Sequence, residues 1–163
     1  MKSSDAESNR GLSPDFQDFV VSLNEHQVAF VLVGGYALAV HGVIRATGDI
    51  DFLYRRTKRN VHALMAAMNA FGAPPNVVDE KALMTTGIVT QFGQSPHRID
   101  LLNEIDGVTF PEVWNGATTA TVDGQRMRVI GLRELRKNKG ATGRRKDQED
   151  LRRLTAGKAR RTR

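Results

Sequence analysis

The sequence predicts an α/β (α+β) domain in which helices and strands alternate, and three observations carry that expectation. Val28 to Val33 is an unbroken, valine-rich apolar run, the pattern of a strand buried on both faces. Just before it, Phe16, Phe19, Val20 and Leu23 recur at helical spacing. Further on, Asp123-Gly124 lies between Thr118 to Val122 and Arg126 to Ile130, a strong signal for a β-hairpin.

The elements follow in order. Ser13-Pro14 offers an N-cap followed by proline at the first helical position, so a helix starts there and ends near His26. Val28 to Val33 is the first strand. Gly34-Gly35 then makes a turn, and a short apolar helix, Tyr36 to Val43, opens directly from it with its free N–H groups aimed at whatever binds there. Asp49 to Tyr54 is the second strand. Thr57 caps a helix carrying Val61, Leu64, Met65 and Met68, which Gly72 stops ahead of Pro74-Pro75; the methionines read as core filler. Gly87 to Phe92 and Arg98 to Ile105 read as two more strands, joined around Gln94-Ser95-Pro96. Phe110 and Trp114 read as the core anchor of a small helix, with base stacking as the alternative for Trp114. Beyond the hairpin, Leu132 to Asn138 and Arg144 to Leu154 are helical, separated by a break at Gly140 and Gly143.

At 163 residues the chain fits one domain, long enough to bury about two-thirds of its unfolded surface. The expected organisation is a flexible N-terminus at 1–11, a folded domain at 12–155 and a basic, disordered tail at 156–163. Cysteine is absent, which excludes thiol redox chemistry, thiolate metal sites and a disulfide scaffold. The polar start has no apolar signal region, and no stretch approaches the roughly 18 apolar residues of a membrane span. The expected location is the cytoplasm, with no membrane partner. Net charge is +6, but Gly131 to Arg163 holds 13 Lys/Arg against 4 Asp/Glu, so that segment carries +9 and the rest −3. Such a footprint favours a polyanionic partner, nucleic acid or nucleotide phosphates.

The candidate chemistry lies between Val28 and Leu53. Asp49 and Asp51 stand at i and i+2 in an extended segment, so both carboxylates leave one face while Ile50 and Phe52 leave the other. That arrangement suits a divalent metal. The glycine pair upstream lets backbone approach a bulky anion, because glycine lacks a Cβ and tolerates positive φ. Asp100, flanked by Ile99 and Leu101, supplies a third carboxylate if its strand pairs beside the first. Three such oxygens would serve two Mg²⁺ ions, which take oxygen ligands and can clamp an in-line phosphoryl displacement.

Gly34-Gly35, a gap of thirteen residues, and Asp49-Ile50-Asp51-Phe52 together resemble the signature of the DNA polymerase β-like nucleotidyltransferase superfamily. Gly35-Tyr36-Ala37-Leu38, His41-Gly42 and Arg45-Ala46-Thr47-Gly48-Asp49 are similar to its bacterial minimal branch, which includes abortive-infection nucleotidyltransferase toxins. The likeness extends to Arg98-Ile99-Asp100-Leu101-Leu102 and to the stretch from Lys139 to Asp147. It implies a mixed-sheet nucleotidyltransferase fold with flanking helices and a C-terminal helical segment, a site for two Mg²⁺ or Mn²⁺ at Asp49, Asp51 and Asp100, and a nucleoside triphosphate as donor. Gly48 departs from it: many members have serine directly before the first aspartate, so here any hydroxyl contact must come from Thr47 or elsewhere.

Around that site, Gly34 and Gly35 would accommodate the β- and γ-phosphates, while Arg45 and Thr47, in the loop feeding the metal strand, would reach triphosphate or acceptor. The alternative for Arg45 is a solvated loop arginine. Lys139, Arg144 and Lys146 are expected at a helix start, where positive charge opposes the macrodipole, so phosphate binding rather than helix stability would account for them. Asp147 and Asp150 read as a helix-start acid and an i, i+3 partner for Arg153. His41 reads as a packed or capping residue and Tyr36 as core filling.

The expected activity is transfer of a nucleoside monophosphate to a hydroxyl on RNA, plausibly a tRNA end, or on protein, within a toxin–antitoxin or phage-defence system with a cognate partner. An inactive nucleic-acid- or partner-binding module is the alternative. A sugar-nucleotide glycosyltransferase using Asp49 and Asp51 is a further rival, although the chain is short for one.

Overall fold

The computed structural model describes residues 12–161. Helix α1, Pro14–Glu25, begins where Ser13 Oγ accepts the Phe16 N–H and Pro14 fills a position needing no donor. Strand β1, Phe30–Val33, runs straight into helix α2, Gly34–Val40, and strand β2, Asp49–Tyr54, returns antiparallel beside β1. Helix α3, Lys58–Phe71, is capped by Thr57 and stopped by Gly72 in the left-handed conformation. A 3₁₀ turn, Pro75–Val77, and helix α4, Glu80–Met84, lead to strands β3, Thr90–Phe92, and β4, Arg98–Leu102. Helix α5, Phe110–Gly116, precedes the hairpin of β5, Thr118–Val122, and β6, Gln125–Val129. Helices α6, Leu132–Thr142, and α7, Arg145–Arg161, complete the described chain.

The six strands form one mixed sheet in the order β3-β4-β2-β1-β6-β5. β4 is parallel to β2 and β6 is parallel to β1, while the remaining neighbours are antiparallel. The expected α/β class, the mixed sheet with flanking helices and the C-terminal helical segment are all present. On one side the core is aromatic. Phe19 of α1 meets Phe52 of β2 at 5.8 Å, Phe71 of α3 at 5.2 Å and Phe92 of β3 at 5.5 Å between ring centroids. Ile50 and Phe52 are fully buried on β2, so the strand seals one side of the sheet and frees the other for its two aspartates.

Three strands are shorter than the apolar pattern suggested, and side-chain amides explain it. Val28 is drawn back by its N–H bond to Leu23 O at the end of α1, and Asn60 brackets Ala29 with bonds to both its N–H and its C=O. Asn103 ends β4. Its amide donates to Tyr54 Oη, Leu83 O and Thr85 O, and its oxygen accepts the N–H of Gly87, so neither 103–105 nor 87–89 can continue a ladder. Helix α2 differs too: it takes both glycines into its first turn and stops at Val40, where His41 caps it.

The C-terminal break also moves. α6 passes through Gly140 and ends at Gly143, whose φ of +69° only glycine adopts freely. α7 continues beyond Leu154 to Arg161, through most of the stretch expected to be a disordered tail at 156–163. Residues 162–163 and the expected flexible segment 1–11 lie outside the described residues. Among the described residues no helix is long and apolar enough to cross a membrane.

Trp114 and Phe110 of α5 stack at 5.7 Å, as expected of a small anchored helix, and two arginines add to the cluster. Arg55 lies 4.8 Å and Arg128 3.8 Å from the Trp114 ring centre, within cation–π range.

Asn60 holds the entry to β1 and the exit of β2 together, because its amide also donates to Arg55 O. Asn60→Leu should therefore cost about 1–3 kcal/mol, since it leaves the part-buried Ala29 N–H and Arg55 C=O without their side-chain partner. Urea unfolding of both proteins measures the difference.

Candidate active site

The parallel register of β2 and β4 sets four charged side chains in a square. Asp49 faces Arg98 and Asp51 faces Asp100, all on one side of the sheet because each pair sits two residues apart on its strand. Arg98 Nη2 lies 2.7 Å from Asp49 Oδ2, and its Nε lies 2.9 Å from Asp100 Oδ1. A further Nη2 contact of 3.2 Å reaches Asp100 Oδ2, so the guanidinium forks onto Asp100 while bridging to Asp49. The square forms part of the wall of a cleft of about 510 Å³.

Asp51 is the acid that Arg98 does not hold. Burial pushes its carboxyl up to about 7, with the Asp100 charge, a hydrogen bond shared with Asp100 and the Asp49 charge acting the same way, against a smaller opposing pull from Lys139.

Glycine at position 34 is a steric requirement of this crowding. A Cβ there would stand 2.1 Å from Asp51 Oδ2, and the backbone has φ +73°. A Cβ on Gly35 would meet Thr47 Oγ1 at 2.8 Å. Both glycines line the cleft, and the missing side chains admit the aspartate and the threonine. The hydroxyl that Gly48 cannot supply comes from the loop before β4: Ser95 Oγ donates to Asp49 Oδ1 at 3.1 Å, while Thr47 Oγ1 donates to Asp49 O.

The basic residues divide into two groups. Lys139 lies in the last turn of α6, not at a helix start, and there its charge suits the helix dipole. Its buried ammonium is gripped by Asp147 Oδ1 at 2.8 Å and Asp150 Oδ2 at 3.1 Å. Asp150 also pairs with Arg45 Nε at 3.0 Å, so Arg45 is no solvated loop arginine. The expectation for Asp147 and Asp150 changes accordingly: both are buried counter-ions, and the partners of Asp150 are Lys139 and Arg45 rather than Arg153. Burial pushes the Asp147 carboxyl up, but bonds from Lys139 and Thr142 and the charges of Lys139 and Arg144 outweigh it and hold the group below its ordinary value. Arg144 reaches Asp147 from the surface at 2.8 Å, and Lys146 is exposed; both line the cleft.

All ten residues singled out from the sequence, Gly34, Gly35, Arg45, Thr47, Asp49, Asp51, Asp100, Lys139, Arg144 and Lys146, line this one cleft. His41 caps α2 and its Nε2 bonds Ile130 O at 2.7 Å, while Tyr36 packs edge-on against Phe16 at 5.7 Å, as expected of structural residues. The sequence reading missed Arg98, Gln91, Glu104 and Asp106 of the cleft lining, and Ser95, which bonds Asp49. Arg98 carried a signal, since strand alternation puts it on the face of Asp100. Ser95 carried none, because only the loop's closure brings it to Asp49.

The donor set suits a hard divalent cation: three carboxylates, no sulfur, and a guanidinium already standing as the neutralising charge. Among the described residues, no three of His, Cys, Asp and Glu are gathered tightly enough to hold a metal as they stand. Arg98 lies between Asp49 and Asp100.

A mixed sheet that carries two aspartates on one strand, a third on its parallel neighbour and a glycine-started helix beside them defines a nucleotidyltransferase fold. Residues 13–162 match the family described as "Nucleotidyl transferase of unknown function (DUF2204)", and the chain belongs to that family. Its fold is also that of the antibiotic-resistance factor ANT(2'')-Ia in solution, with a TM-score of 0.59 and 14% identity over 87% of this chain and 81% of the other. No curated protein matches the sequence.

Two outcomes follow for stability. Asp51 binds its proton more tightly folded than its ordinary value of 3.8 allows, so its contribution is fully present below that value and is lost as pH rises toward about 7. Without metal, the melting temperature of the native protein relative to Asp51→Asn should therefore fall from about pH 4 to about pH 7 and level off above, as differential scanning calorimetry would record. Lys139→Met, which leaves the buried Asp147 and Asp150 with only Arg144 and Arg45 as cationic partners, should cost about 3 kcal/mol in chemical denaturation.

Proposed function

We propose that this protein is a metal-dependent nucleotidyltransferase that moves a nucleoside monophosphate from a nucleoside triphosphate to a hydroxyl acceptor and releases pyrophosphate. The observation that supports it most is the meeting of Asp51 with Asp100 and Asp49 beside Gly34 at the cleft wall. In this reading Asp49, Asp51 and Asp100 would hold two Mg²⁺ or Mn²⁺ ions. When bound, such ions neutralise charge on the triphosphate and on the entering and leaving oxygens.

The chain's own residues do the rest by positioning. Gly34 and Gly35 leave room for the β- and γ-phosphates. Arg144 and Lys146, exposed where they line the cleft, draw the pyrophosphate away from the carboxylates. Arg45 and Lys139, committed to Asp150 and Asp147, keep that part of the cleft in place while adding positive potential to it. Thr47 and Ser95 fix Asp49, and Asp100 orients the acceptor oxygen. Little covalent chemistry is asked of the protein, because in-line transfer depends on alignment and charge.

The acceptor in this reading is an RNA end, with a protein hydroxyl as the second choice. The +9 charge of residues 131–163 supports RNA, whose backbone such a segment attracts. A cytoplasmic toxin–antitoxin or phage-defence setting goes with it, since altering an RNA end disables translation. One observation favours the inactive binding module instead: Arg98 already neutralises two of the three acids.

Incubation of the purified protein with each labelled nucleoside triphosphate, Mg²⁺ and total RNA separates these readings. Label should enter RNA, and Asp51→Ala should lower its incorporation by roughly a hundredfold or more, the scale of losing one charge-stabilising group. Label entering protein would reassign the acceptor. No transfer from any nucleotide, with RNA binding indifferent to Asp51→Ala, would establish the binding module.

A further inference from the structure

Arg98 has no part in the transfer chemistry set out above, yet it is the residue most entangled with the acids that chemistry would use. It starts β4, two residues before Asp100 and directly across from Asp49. Three of its contacts fall within 3.2 Å, two on Asp100 and one on Asp49. Its side chain is 35% exposed at the edge of the cleft, so it can swing outward without opening the core.

We propose that Arg98 is the resident counter-cation of this carboxylate site. It holds Asp49 and Asp100 in the nucleotide-free protein, competes there with divalent cations, and transfers to phosphate when a metal-bound nucleotide enters. The proposal rests on reading Asp49, Asp51 and Asp100 as a metal site. Three lines of physical chemistry support it. First, three acids on adjacent strands need compensating charge before a substrate arrives, and the guanidinium supplies one unit between two of them. Second, a cation that replaces it must displace hydrogen bonds to both acids, which penalises metal entering alone. Third, the planar fork that matches the two oxygens of Asp100 matches two phosphate oxygens equally well, so a nucleotide offers Arg98 a new partner as the metal takes the old ones. The metal and the nucleotide then assist each other's binding through this one side chain, and the assistance is reciprocal.

The test is Mn²⁺ binding, followed by electron paramagnetic resonance and titration calorimetry, with and without a non-hydrolysable nucleoside triphosphate analogue. Arg98→Gln should bind Mn²⁺ roughly tenfold more tightly than wild type in the absence of nucleotide, the scale of removing one close competing charge. The analogue should tighten Mn²⁺ binding more in wild type than in Arg98→Gln. Should Arg98→Gln fail to fold, Arg98→Lys decides: it keeps the charge, loses the fork onto Asp100, and should also bind Mn²⁺ more tightly than wild type. Equal or weaker binding by the variant that folds, with Asp51→Asn abolishing Mn²⁺ uptake, would overturn the role of Arg98 and leave the metal site standing. Absence of Mn²⁺ binding in every protein, with or without the analogue, would overturn the metal site and the proposal with it.

Discussion

The pairing of β2 with β4 in parallel, in a register that sets Asp51 against Asp100, is the constraint on which the rest of the cleft depends. It brings like charges together on a surface partly withdrawn from water, an arrangement that costs free energy in the absence of a counter-charge. Neighbouring residues answer that cost. Gly34 gives up its side chain so that the Asp51 carboxylate fits, Ser95 donates to Asp49, and Arg98 lies across Asp49 and Asp100. The aromatic layer of Phe19, Phe52, Phe71 and Phe92 on the other side supplies the rigidity, since Phe52 fixes the rotation of β2 that aims both aspartates into the cleft.

A second ionic cluster ties the far wall to the first. Asp150 and Asp147 come from α7, Lys139 from α6 and Arg45 from the loop that leads into β2. Buried ions of this kind contribute little net stability, but removing one partner exposes the full desolvation cost of the others. The cluster therefore couples the position of the C-terminal helices to the loop carrying Thr47 and Gly48. Arg144 and Lys146 owe their place on the cleft to this junction between α6 and α7.

Family membership and the shared fold set the chemical class, and the local charges set what is particular to this chain. The solved relative at 14% identity shares the architecture, which shows how little of the sequence such a fold needs. In this cleft a guanidinium lies between two acids, and a serine contact to Asp49 is supplied from the loop before β4.

The sequence by itself determined the α/β class, the caps at Ser13 and Thr57, the hairpin at Asp123-Gly124 and the shared strand face of Asp49 and Asp51, because each rests on local geometry or on strand alternation. Periodicity and capping are properties of near neighbours, and near neighbours are what a sequence displays. Only the tertiary structure decided where strands stop and which charges meet. Asn60 and Asn103 end apolar runs that the pattern would have prolonged, through bonds to residues as far as 49 positions away. Lys139 and Asp150 looked like helix-surface charges and became buried partners when α6 folded against α7. Arg98 joined Asp49 across 49 positions of sequence, a distance that register alone could close.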